Sequence, residues 1–220
     1  MNWIRHLLAT SLGKKYVMAV SGLLLVGFLV VHLSGNLLIF AGGDGAPFDA
    51  YARALESNPL LPVAEIGLLL LFVVHVAAAL RVSLENREAR SRGYAVRASH
   101  GRKTLASASM LVTGLVVLVF LAIHLYDFRI GKELADEPAS LAAMVRERLA
   151  TPLGAGIYLA GVGALAIHLR HAFRSAFQSL GASHPHLDPI LERAGIAVAI
   201  LLGLGFASFP LVFLLGGASP

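Results

Sequence analysis

Four histidines stand where chemistry is least expected. His32, His75, His124 and His168 each lie deep inside a separate long apolar stretch of a 220-residue chain. An ionisable side chain at membrane depth is costly and as a rule marks a functional site with a partner. Neutral imidazole can offer one ring nitrogen to a metal while the other donates a hydrogen bond. A single such histidine can be explained as a hydrogen bond to a neighbouring helix. Four of them, one per apolar segment, ask for a shared task.

The elements that must position them follow from composition. The chain is 57% hydrophobic and only 14% charged, with a mean hydropathy of +0.75, which points to a bilayer as its solvent. The pattern predicts an all-α membrane protein with five transmembrane helices at about 16–41, 60–82, 104–128, 152–178 and 192–215, each longer than the ~20 residues needed to cross hydrocarbon. Pro62 and Pro152 fall in first turns, where a missing N–H costs little. The fifth span carries no histidine and reads as a packing helix that Pro210 is expected to kink. Met1 to Lys15, with Trp3, Ile4, Leu7 and Leu8 beside Arg5, Lys14 and Lys15, reads as an interfacial lead-in without a signal-peptide cleavage site. Residues 139–149 carry Leu141, Val145 and Leu149 at helical spacing and predict a short helix on the surface. The whole of 1–220 reads as a single domain, with no repeat and no linker. The absence of cysteine excludes disulfides, iron–sulfur ligation and thioether haem attachment by this polypeptide.

The net charge of +5 would suit nucleic acid, but in a membrane protein it more often fixes topology. Thirteen Lys and Arg fall on the N-terminal side of the spans and five on the other, which predicts a cytoplasmic N-terminus and an external C-terminus. Orientation converts position into depth, at ~1.5 Å per residue. His32 and His124, on outward-running helices, fall in the outer half; His75 and His168, on inward-running ones, fall in the inner half. Two imidazole pairs at two depths is the arrangement needed for two bis-imidazole haems stacked across a membrane, with the first four helices bundled around them. Two axial imidazoles leave no open iron position, which suits electron transfer over oxygen binding.

The neighbours of each ligand enter the same expectation. Small residues three or four positions away, namely Gly35 for His32, Ala78 and Ala79 for His75, and Ala164 and Ala172 for His168, would give a porphyrin room. His124 has the bulkier Phe120, Leu121, Asp127 and Phe128. Arg81, Arg170 and Arg174 are candidates to neutralise propionates, and Ser21 is a candidate hydrogen-bond partner from the first helix. His171 rivals His168 as ligand and is otherwise a propionate-side or quinone-side group. Asn36 is expected to bond a neighbouring helix and Asp127 to mark the outer boundary. His6, His100, His184 and His186 lie in termini or loops and read as solvated.

Several phrases carry a resemblance: Ser11-Leu-Gly-Lys-Lys15, His32-Leu-Ser-Gly-Asn36-Leu, His75 followed by Arg81 and Asn86-Arg-Glu-Ala-Arg90, Ile123-His124-Leu-Tyr-Asp127-Phe, and His168-Leu-Arg-His171-Ala-Phe-Arg-Ser-Ala-Phe-Gln178-Ser-Leu-Gly. In this order, one per helix, they resemble the single-chain dihaem cytochrome b (b558-type) membrane-anchor subunit of succinate dehydrogenase and fumarate reductase. The resemblance implies five helices, and haem b ligands paired first helix with third and second with fourth. It also implies flavoprotein and iron–sulfur subunits on the cytoplasmic face of a bacterial inner membrane, and electron exchange with a quinone, commonly menaquinone. Ala172 and Arg174 depart from the glycine and aromatic that relatives often carry.

Quinone chemistry moves protons with electrons, so a titratable group should border its site. Glu65, near the outer end of the second span, has two readings: a carboxylate complementing a helix N-terminus, or a proton-transfer group at an outer quinone site, as an acid similarly placed in some fumarate reductase relatives suggests. His171, Arg174 and Tyr16 are the inner-side alternatives. The dicarboxylate site would lie on a partner chain. Competing functions are the cytochrome b of a hydrogenase or formate dehydrogenase, and a metal or proton transporter using the histidines as relay or ligands. The transporter reading is weakened by the lack of acidic partners at histidine depth.

Overall fold

A computed structural model of the chain describes residues 10–42, 44–91, 105–134 and 140–216. Throughout the described residues the regular structure is helical. The first helix, α1 (Ser11–Asn36), starts at an N-cap, Thr10, whose hydroxyl accepts from the Gly13 N–H. It therefore begins five residues before the expected span and absorbs Lys14 and Lys15 into its first turns. It ends by tightening into a 3-10 turn over Leu37–Phe40. Asn36 does not reach another helix: its amide donates to the His32 carbonyl one turn back at 2.7 Å, satisfying a backbone acceptor near the helix end.

A short helix that sequence reading missed, α2 (Ala46–Glu56), follows and buries Phe48 and Ala52. The second span is α3 (Leu61–Ser91). The third is α4 (Leu105–His124), which opens immediately after His124 into a π turn over Leu125–Ile130 and closes with Gly131–Glu133. The short helix α5 (Leu141–Ala150), at the end of the bundle that the charge count predicts to be external and that is therefore labelled outer, is capped by Ser140 and buries Ala142, Val145 and Leu149. Then come α6 (Pro152–Ser179), capped by Thr151, and α7 (Asp188–Leu214), which continues through the buried Pro210. Among the described residues five helices are long and apolar enough to cross a membrane, so the chain is a multi-pass membrane protein. Leu69, Leu70, Val112, Val119, Leu201 and Leu204 are exposed on these spans, as lipid-facing residues should be.

Packing follows two hairpins: α1 lies along α3, α4 along α6, and α1 also contacts α6. Helix α7 covers α6 and part of α1 through Leu169, Ala199 and Leu202, which makes it the packing helix expected. At the outer end, α5 seals the bundle with a cluster of Ile39, Phe48, Ala142, Val145, Leu149, Tyr158, Phe209 and Phe213. Asp49 of α2 ties the two external helices together, accepting from the Ser140 hydroxyl (2.6 Å) and the Ala142 N–H (3.0 Å). Ion pairs fix the helix ends: Lys14 with Glu85 at one end, and Arg129 with Glu65 and Lys132 with Glu56 at the other. Trp3, Ile4, Arg5, His6, Leu7, Leu8, His100 and the basic residues of 92–104 lie outside the described residues.

Candidate functional site

The outer site forms where α1 and α4 bring His32 and His124 face to face. Their ring centroids are 5.8 Å apart and the ring planes nearly perpendicular, at 88°. Each imidazole has a phenylalanine one turn before it on its own helix: Phe28 stacks on His32 (5.2 Å) and Phe120 lies 6.0 Å from His124. Phe206 of α7 closes over His32, while Phe128 and Tyr158 edge onto His124. The Nδ1 of His124 is buried without a hydrogen-bond partner.

Beneath the aromatic layer sits a polar network that sequence reading missed. The Asp127 carboxylate accepts from Arg148 Nε at 2.8 Å and from the Tyr158 hydroxyl at 3.0 Å. Asp127 is thus no simple boundary charge; only 11% of its side chain is exposed. The π turn widens the helix at this point, a local change that re-aims side chains and recurs at functional sites. Nothing in the linear spacing of Asp127, Arg148 and Tyr158 signals their meeting.

The inner site lies between the two hairpins. His75 Nδ1 is 3.1 Å from the Met18 carbonyl oxygen and 3.2 Å from Ser21 Oγ. A carbonyl only accepts, and the Ser21 hydroxyl donates to the Val17 carbonyl at 2.6 Å, so Nδ1–H is the donor and Nε2 keeps the lone pair. His168 Nδ1 stands 3.4 Å from Thr113 Oγ1, whose hydroxyl donates to the Ser109 carbonyl at 2.8 Å. Gly22 faces His75 so closely that an added Cβ would sit 3.0 Å from its Cε1.

Other sequence candidates fall elsewhere. Gly35 makes room for a side chain of α2, since a Cβ there would lie 2.5 Å from the Tyr51 ring; the space is filled by protein, not left for a porphyrin. Arg174 pairs with Asp188 and Glu192 at the head of α7, both at 3.3 Å. Glu65 forms a two-pronged ion pair with Arg129 (3.0 and 3.3 Å), which also binds Glu133. Arg81, Arg170 and Tyr16 are exposed and His171 half-buried. His184 and His186 are exposed near the turn before α7, with rings 5.3 Å apart.

The donors fit a haem at each level. An iron between two imidazole nitrogens at roughly 2 Å each, the usual metal–imidazole distance, needs ring centroids on the order of 6 Å apart, close to the outer separation. The inner rings have Nδ1 engaged and Nε2 free, the usual state of a metal-ligating histidine held by its neighbours. Among the described residues no group of three or more His, Cys, Asp or Glu gathers as a metal site, and two imidazoles suit a metal whose remaining positions a macrocycle fills.

Residues 16–100 match the family model described as succinate dehydrogenase/fumarate reductase transmembrane subunit. The matched stretch holds Ser21, His32, His75 and Arg81. No curated protein and no solved structure matches the chain.

Proposed function

We propose, taking the likeness to succinate dehydrogenase/fumarate reductase transmembrane subunits as premise, that this chain is the electron-transfer anchor of a succinate:quinone oxidoreductase. It holds two haems b, the outer between His32 and His124 and the inner between His75 and His168. The observation that carries the proposal is the meeting of imidazoles from α1 and α4, 5.8 Å apart, inside an aromatic box. Bound there, haem would supply one-electron chemistry, held by the two imidazoles of each pair.

The chain's own residues orient and insulate. Phe28, Phe120, Phe128, Tyr158 and Phe206 exclude water around the outer pair. Ser21 and the Met18 carbonyl hold His75 in one tautomer. Ser21 and His32 are eleven residues apart on one helix, which separates the two levels by roughly 16 Å at ~1.5 Å per residue. That stacking suits a route from an iron–sulfur subunit on the cytoplasmic face to a quinone in the membrane, menaquinone being the type the resemblance implies. Glu65, held by Arg129 at the outer end, is the candidate proton-transfer group there. A bacterial cytoplasmic membrane with the N-terminus inside completes the proposal.

A reduced-minus-oxidised spectrum and a haem assay on the purified complex test it. We expect b-type bands and two haems per chain. His32→Ala and His124→Ala should each remove one and the same haem, and His75→Ala and His168→Ala the other. A colourless complex, or loss that follows a different pairing, overturns the assignment.

A further inference from the structure

The two inner imidazoles are held by equivalent hardware on opposite sides, and that equivalence corrects the expectation of a chain without repeats. Met18-x-Val20-Ser21-Gly22-Leu23 is followed by Phe28-Leu29-x-x-His32-Leu33; 92 positions later come Met110-x-Val112-Thr113-Gly114-Leu115 and Phe120-Leu121-x-x-His124-Leu125. Eight of the sixteen positions in 18–33 are identical in 110–125, and Ser21 is matched by Thr113. The second helix of each hairpin corresponds as well: His75 and Arg81 recur 93 positions later as His168 and Arg174.

The structure gives the repeat a purpose. Ser21 and Thr113 are the buried polar side chains among the described residues, at 3% and 9% exposure. Both hydroxyls bond back to their own helix, Ser21 to the carbonyls of Val17 and Met18 and Thr113 to those of Ser109 and Met110. Each then presents its oxygen to Nδ1 of the histidine on the next transmembrane helix of its own hairpin. The following glycine lies against the same ring: a Cβ on Gly22 would stand 3.0 Å from His75 Cε1, and one on Gly114 3.5 Å from His168 Cε1. A buried hydroxyl that already spends its hydrogen on the backbone is an acceptor of fixed direction.

Resting on the proposed function, we infer that Thr113 and Ser21 are a matched pair of positioning residues, each accepting Nδ1–H from one inner imidazole, Ser21 together with the Met18 carbonyl, so that both Nε2 atoms are left to a single metal. An acceptor on Nδ1 raises ligand basicity and fixes ring orientation; a more basic ligand favours the oxidised metal. The effect belongs to the inner level. His124 Nδ1, in the outer pair, is buried without a partner.

The test uses the assembled complex with its native companions and follows the midpoint potentials of the two haems, the inner being the one that survives His32→Ala. Thr113→Val and Ser21→Ala should each keep two haems and raise the inner midpoint alone, further in the double variant, while Thr113→Ser and Ser21→Thr stay at the wild-type value. Thr113→Ala serves if valine blocks assembly. Loss of the inner haem with the outer retained, reversed by Thr113→Ser, also supports the inference. Two haems with unshifted potentials, equal shifts in both, or assembly failure in both hydroxyl-free Thr113 variants overturn it and leave the proposed function standing. A wild-type complex without haem overturns both.

Discussion

At the residue scale, the outer end of the bundle depends on one carboxylate. Asp127 accepts an ion-paired bond from Arg148 and an O–H bond from Tyr158, and both donors are at least two-thirds shielded from solvent. Hydrogen bonds to a charged group contribute about 1.5–3 kcal/mol. Asp127→Asn, which leaves the Arg148 guanidinium without its counter-charge, should therefore destabilise by about 3 kcal/mol, the upper part of that range, and Tyr158→Phe, which leaves the ion pair in place, by about 1.5 kcal/mol. Thermal melts in detergent measure the order. Equal losses would mean that the bond to the Tyr158 hydroxyl, not the charge on Arg148, is what Asp127 supplies.

At the element scale, the external helix α5 is tied to the bundle through a point of backbone contact. A Cβ on Gly154, in the first turn of α6, would stand 1.9 Å from the Arg148 carbonyl oxygen. No rotamer change relieves that approach. Gly154→Ala should push α5 away from α6 and cost about 3 kcal/mol, the upper part of the range for overpacking. Gly163 on the same helix has nothing within 4 Å of its would-be Cβ, so Gly163→Ala should be neutral or gain up to about 1 kcal/mol in helix propensity. Melting both variants separates the contact from any general intolerance of alanine in α6. A Gly154→Ala protein as stable as wild type would show that α5 docks elsewhere.

At the scale of the whole molecule, the arrangement is two hairpins facing each other, with α7 laid over one side and α2 and α5 over the outer end. The charge asymmetry predicts which end faces the cytoplasm. Because the chain has no cysteine, single thiols report topology directly. Ser57→Cys, exposed after α2, should react with a membrane-impermeant thiol reagent on intact cells; Ser183→Cys, exposed between α6 and α7, should react only after lysis. The reverse pattern would invert the orientation and exchange the outer and inner sites.

Much of this was legible in the sequence. Five spans, the short helix near 141–150 and the packing role of the last helix follow from apolar length and periodicity, which are local properties. The repeat around Ser21 and Thr113 was also present in the letters, but Leu and Val fill the positions between its markers and hide a period that only matched hydrogen bonds make conspicuous. Tertiary structure alone decided the rest. It gave Gly35 to Tyr51 and turned Asn36 back onto its own helix. It joined Asp127 to Arg148 and Tyr158 across 21 and 31 residues. It paired Glu65 with Arg129 and Arg174 with Asp188. A sequence fixes how deep a side chain lies because depth accumulates along one helix; which neighbour it meets depends on the rotation and packing of several helices together, and no single stretch encodes that.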